Sequence, residues 1–251
     1  CLLLVLTLIP GIGVSVKGSR RWLDLGPINL QPSELAKLVS VLVVAWWMTR
    51  VQRRAADLKV GLLVPGVLLS VLAGLVLKEP DYGTTMLILC AGAATMFVGG
   101  TSPGHLAVAG ALGTAGLAVL VMENAERMRR IIAFMNPEDY ALDEAYQLLQ
   151  SKAAFVAGGW SGVGLGHSLQ KQFYLPEAHT DFIFAILGEE LGLSASLGVA
   201  VLFSGLLICG LRISWKAPDM FGRLVAFGLA FLLASQAALN IGVVTGCLPT
   251  K

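Results

Sequence analysis

The sequence predicts an all-α fold: a polytopic integral membrane protein, a helical bundle carrying one large extracytoplasmic loop. Three observations predict it. Of the 251 residues, 56% are hydrophobic and 14% charged, with a mean hydropathy of +0.76, more apolar surface than a water-soluble domain hides. Seven stretches are long enough, or nearly so, to cross a bilayer as helices: 1–16, 34–49, 59–77, 83–100, 104–121, 182–211 and 223–246. The connections at 50–58, 101–103 and 212–222 are short, whereas 17–33, 78–82 and the long segment 122–181 lie on the opposite face and hold the candidate chemistry. Residues 1–251 therefore read as a single transmembrane domain, with 122–181 as its large extracytoplasmic loop.

In chain order, the first stretch is short, and "GSRRW" (18–22) follows it with two arginines. The second opens on "PSELAKL", where Glu34 and Lys37 are three apart and share one helix face. That pair reads equally as a structural ion pair or as a functional one. The turn "KEPDYGTT" (78–85) carries Pro80 and Gly83 as breakers, and Asp81 either caps the next helix or supports a site. Glycine and alanine recur in "AGAATMFVGG" and "AGALGTAGLAV", as expected where membrane helices approach closely. Segment 122–181 contains "ERMRRIIAF", "AFVAGGW" and "QFYLPEA"; its aromatics argue against disorder and for a segment folded back onto the membrane surface.

The net charge of +2 is too small and too dispersed to indicate nucleic acid. Arginine and lysine in the short loops (Arg50, Arg53, Arg54, Lys59, Arg212, Lys216, Arg223) favour that side as cytoplasmic. Cys1, Cys90, Cys209 and Cys247 show no paired spacing and are expected to be packed thiols. No charged n-region or cleavage site precedes the first apolar run, so nothing reads as a signal peptide. The chain reads as a piece of a longer protein, cut at both ends.

The sharpest constellation is "FYLPEAHTDFIFAILGEELG" (173–192), with Glu177, His179 and Asp181 at the mouth of an apolar run. Asp181 alone suits a helix cap. Together with Glu177 and His179 it also suits a general base, a carboxylate near the surface tuned by its neighbours. Glu189 and Glu190 lie about 12–14 Å deeper along the helix, where acids need partners, and Lys37 is a natural counter-ion for one of them. Arg20 and Arg21 read either as headgroup-facing charge or as a diphosphate clamp, for which the guanidinium fork is suited. "GGWSGVGLGHS" (158–168) lacks the Lys-Ser/Thr ending of a P-loop; it reads as a tight loop that touches a ligand or re-enters the membrane.

These pieces, in this order, resemble the SEDS family (shape, elongation, division and sporulation) of bacterial cell-wall polymerases. The resemblance rests on "SVKGSRRWLDLGPINLQPSELAKL" (15–38), "EPDYGTT" (79–85), "RRIIAFMNPEDY" (129–140), "GVGLGHSLQKQFYLPEAHTDFIFAILGEELG" (162–192) and "NIGVVTGCLPTK" (240–251), and so covers essentially the whole chain. Within the family the division enzymes are more similar than the elongation enzymes. The resemblance implies ten transmembrane helices, of which these would be the third to the ninth. It also implies peptidoglycan glycosyltransfer, the polymerisation of lipid II into β-1,4 glycan strands, with a class B penicillin-binding protein and other division proteins as partners. Asp181 matches the family's essential loop aspartate, and Glu34 and Lys37 a sensitive pair near a central cavity. His167, Phe173 and Lys78-Glu79 depart from the usual family residues.

The implied chemistry is one inverting displacement on an α-linked sugar diphosphate. A diphosphate leaves as a stabilised anion, so one base plus cations suffices. Asp181 would be that base, and Arg20, Arg21 and Lys37 the cations; a divalent cation could share their task, though no ligand cluster demands one. Two other classes stay open: a lipid II flippase, which needs a polar path and broken helices, and a non-catalytic scaffold for a penicillin-binding protein.

Overall fold

A computed structural model describes residues 1–9, 13–16, 19–24, 26, 29–143, 145–176 and 179–249. The helical class holds. Nine α-helices are present among these residues: α1 (Leu2–Leu8), α2 (Pro32–Arg50), α3 (Val64–Lys78), α4 (Tyr82–Val98), α5 (Pro103–Met122), α6 (Ala125–Met135), α7 (Tyr146–Gly158), α8 (Ile183–Lys216) and α9 (Met220–Val244). Among the described residues, four spans are long and apolar enough to cross a membrane: Leu58–Lys78, in which a wider turn at Leu58–Leu63 leads into α3, and helices α5, α8 and α9.

The first apolar stretch is helical only to Leu8. Ile9 is extended (φ −78°, ψ 125°), the conformation favoured by a residue that precedes a proline. The chain then forms a small antiparallel sheet that the helical reading missed: β1 (Gly13–Val16), β2 (Ser19–Asp24) and β3 (Asn29–Leu30), in the order β1-β2-β3. Val14 pairs with Trp22 and Ser15 with Arg20, which leaves Arg21 as the extra residue of a bulge; a bulge re-aims the side chain it carries. Gly13 lies so close to α1 that a Cβ there would stand 2.0 Å from the Thr7 carbonyl oxygen.

The residues fall into two compact units. One comprises Cys1–Ala111 and Leu207–Leu233, the other Leu112–Leu206 and Ala234–Lys251. The first has its core where α2, α3 and α4 meet, with Val44, Met48, Leu69, Val76, Ile88 and Leu224 buried. Gly92 belongs to this packing, since a Cβ there would strike Leu69 at 2.4 Å. The glycines of α5 do not, for Gly110, Gly113 and Gly116 face open space. At the end of α2, Arg50 stacks over Trp46 at 4.3 Å and Trp47 donates its indole N–H to the Val60 carbonyl at 2.9 Å, an aromatic and basic helix end that suits a membrane interface.

The cysteine expectation is corrected. Cys1, Cys90, Cys209 and Cys247 are unpaired thiols, but all four are exposed rather than packed. On an apolar helix, lipid tails solvate an outward thiol as well as a core does.

Candidate functional site

In the first unit, Lys37 is buried (3% exposed), and its ammonium lies 2.9 Å from the carboxylate of Glu34, which is 52% exposed. A buried ammonium needs such a partner, and the i,i+3 spacing in the first turn of α2 supplies it. Asp81 caps α4: it accepts from the Thr84 amide at 3.0 Å and from the Thr84 hydroxyl at 2.9 Å. Arg20 is exposed. Arg21 is partly committed, donating from Nε to the Glu79 carbonyl (2.8 Å) and from Nη2 to the Pro80 carbonyl (2.9 Å). Beneath that contact lies a residue that sequence reasoning passed over as a site: Glu79, fully buried, with Thr7 Oγ1 at 2.5 Å from its Oε1. Nothing in the sequence links Thr7 with a residue 72 positions away.

In the second unit, Asp181 and His179 are exposed, while Glu177 lies outside the described residues. Phe182 explains how an exposed acid is held in place. It is 3% exposed and packs in a cluster with Ala154 of α7, Leu175, Ala185 of α8, and Val243 and Val244 of α9. Asp181 is thus fixed at the head of α8 by its own neighbour. Phe182→Ala is expected to cost about 3–5 kcal/mol through loss of burial and the cavity left behind, read as a lowered midpoint of thermal unfolding in detergent. His179 lines a cleft of about 280 Å³ with Lys171, Ile183, Ile186, Leu187, Glu190 and Leu191.

The deeper acids find partners that differ from the expectation of Lys37. Glu189, 2% exposed, accepts from the Ser168 hydroxyl, from the Leu169 amide at 3.0 Å and from the Gln170 amide at 3.3 Å. Ser168 in turn accepts from the Lys171 amide at 3.0 Å. Glu190 has Lys171 Nζ at 3.7 Å. The balance is therefore struck mostly by loop N–H and O–H groups, as suits a carboxylate withdrawn from water.

The Gly-rich stretch explains itself through the same contact. α8 is broken at Gly192 (φ 78°, ψ −178°), so Glu189 O, Glu190 O, Leu193 N and Ser194 N lose their partners within the helix. The loop supplies replacements. Val163 N donates to Glu189 O (3.0 Å), Gly164 N to Glu190 O (3.0 Å), Leu193 N to Gly159 O (2.9 Å) and Ser194 N to Trp160 O (3.4 Å). The approach demands glycine: a Cβ on Gly162 would lie 2.1 Å from Glu190 O, and one on Gly192 2.4 Å from Trp160 O. Both have positive φ as well. The expected tight loop is present, and what it touches is the opened backbone of a membrane-spanning helix. Broken helices survive in a bilayer only when other protein groups satisfy the freed N–H and C=O.

Long apolar helices, one of them broken and resealed by a docked polar loop, define a polytopic membrane protein. The match to known proteins is more specific. The chain belongs to the FtsW/RodA/SpoVE family of cell cycle proteins, which it matches over residues 1–251. The spans and the family together make it a multi-pass protein of the bacterial inner membrane.

Among curated relatives it is 44% identical over 252 residues to a probable peptidoglycan glycosyltransferase FtsW of Pseudomonas fluorescens, covering 99% of this chain and 62% of that protein. It is 46% identical over 255 residues to the corresponding protein of Nitrosococcus halophilus, covering 99% and 65%. The chain thus spans less than two thirds of the length of these relatives. Among solved structures it resembles a chain from a study of how a peptidoglycan synthase complex coordinates polymerization and crosslinking (TM-score 0.78, 29% identity, 99% of this chain and 69% of that one). It also resembles the rod shape determining protein RodA of Thermus thermophilus (TM-score 0.64, 28% identity, 96% and 62%).

Proposed function

We propose that the protein is a peptidoglycan glycosyltransferase of cell division, which polymerises lipid II into β-1,4 glycan strands at the outer face of the membrane. The observation that carries this reading is the match along the whole chain to relatives bearing that activity in their names. Asp181, exposed at the head of α8 and pinned by Phe182, supports it. In the proposed step Asp181 takes the proton of the acceptor 4-hydroxyl. The oxygen attacks the anomeric carbon, the bond to the diphosphate breaks with inversion, and the diphosphate leaves with the electron pair. General-base catalysis needs a carboxylate within hydrogen-bond reach of that hydroxyl. Arg20, Arg21 and Lys37 are proposed as the cations that stabilise the diphosphate, which requires Arg21 and Lys37 to exchange the contacts with Glu79, Pro80 and Glu34 that they make here. The segment 122–181 is proposed as the extracytoplasmic loop, and a class B penicillin-binding protein, division proteins and membrane lipid as partners.

The break at Gly192 favours the flippase reading, since transporters place substrate at broken helices. Here the broken turn is filled by Gly159–Gly164 and the acid below it by Ser168–Gln170, so this break is sealed by protein groups rather than left open to a substrate. The deciding experiment reconstitutes the full-length protein and its partner synthase in vesicles, with the transpeptidase blocked. Glycan polymer made from lipid II, without faster movement of lipid II between leaflets, is expected. Movement without polymer would overturn the reading.

A further inference from the structure

Glu79 is used by no step above, yet it is fully buried, and its Oε2 has no hydrogen-bond partner among the described residues. Its other oxygen is 2.5 Å from Thr7 Oγ1, and Thr7 Oγ1 is also 2.7 Å from the Leu4 carbonyl oxygen. A hydroxyl carries one proton, and a carbonyl oxygen can only accept. Two full two-centre hydrogen bonds form here when Thr7 gives its proton to Leu4 and Glu79 gives a proton to Thr7. Arg21 agrees: beside a carboxylate a guanidinium forks onto the two oxygens, but here it bonds the main-chain carbonyls of Glu79 and Pro80 instead.

We propose that Glu79 stands as the neutral acid, donating to Thr7, and that this proton-bearing link is a positioning device. It ties α1 to the α3–α4 turn, on which Arg21 docks the β1–β2 hairpin. Burial, the largest influence, raises the Glu79 carboxyl above its ordinary value of 4.5; a Thr7 hydroxyl donating to the carboxylate would lower it, whereas a bond donated by the neutral acid favours the protonated form, and Asp81 raises it and Arg21 lowers it. The charged groups on the surrounding elements are Asp81 at the start of α4, Arg21 on β2 and the exposed Lys78 at the end of α3, while α1 brings no charge. An acid whose pKa is raised by folding stabilises the fold fully below its unfolded pKa and loses that contribution as pH rises through the folded value. The latch is therefore closed in acid and opens on the alkaline side.

The test is hydrogen exchange of residues 13–24 in the full-length protein across pH, corrected for intrinsic exchange, in wild type and Glu79→Gln. The glutamine amide donates to Thr7 at every pH. Wild type is expected to lose protection by up to about tenfold per pH unit above the folded pKa, and Glu79→Gln to stay flat. Equal pH dependence in the two proteins, or a hairpin open at all pH in Glu79→Gln, would overturn the proposal. A second readout rests on the proposed polymerase activity: KM for lipid II rises with pH in wild type and not in Glu79→Gln. Exchange needs no turnover, so a failed polymerase reading leaves the latch decided.

Discussion

Glu189→Ala is expected to undock residues 159–171 from α8 and to cost about 3–5 kcal/mol, because three donors lose their acceptor at about 1–3 kcal/mol each and entering water recovers part of the loss. The donors are the Ser168 hydroxyl and the Leu169 and Gln170 amides. The effect should exceed that of an ordinary buried acid, since the same loop satisfies the backbone opened at Gly192. Freed N–H and C=O groups in a lipid environment cost several kcal/mol each when left alone. Glu189→Gln should lie between, because the amide keeps one acceptor oxygen and sets an NH2 group against N–H donors. Hydrogen exchange of residues 162–171 in detergent reads the undocking directly. Unchanged protection in Glu189→Ala would show that the backbone ladder alone holds the loop.

The second large effect is catalytic. Asp181→Asn keeps the size and hydrogen-bonding reach of the side chain but cannot take a proton. A positioned general base contributes about 10²–10⁴-fold to rate, so kcat for lipid II polymerisation should fall within that range with KM little changed. Because Asp181 is exposed while Phe182 carries the anchoring, thermal stability should stay that of wild type. Phe182→Ala should show the reverse pattern, with stability lost first and activity following it.

Much of this was legible along the chain, because it is local. Composition and the long apolar stretches pointed to a membrane protein. The i,i+3 spacing of Glu34 and Lys37 foretold their contact, and Asp81 before "YGTT" foretold a cap. What escaped depends on groups far apart or on backbone conformation. Gly192 in an apolar run reads as a packing residue, and only its φ of 78° makes it a break. Glu189 looked in need of a lysine, yet amides serve a carboxylate as well, and those amides lie about 20 residues upstream. The sheet at 13–30 has no clean alternation of polar and apolar residues, since the bulge at Arg21 disrupts its period. Glu79 escaped because its partner Thr7 lies 72 residues away.

The most direct test of the account is to follow lipid II binding and glycan polymer together, in the full-length protein with its partner synthase and with the transpeptidase blocked, for wild type and Asp181→Asn. The account predicts that the variant binds lipid II as wild type does and makes little or no polymer. Polymer at the wild-type rate would contradict it and move the chemistry away from the head of α8.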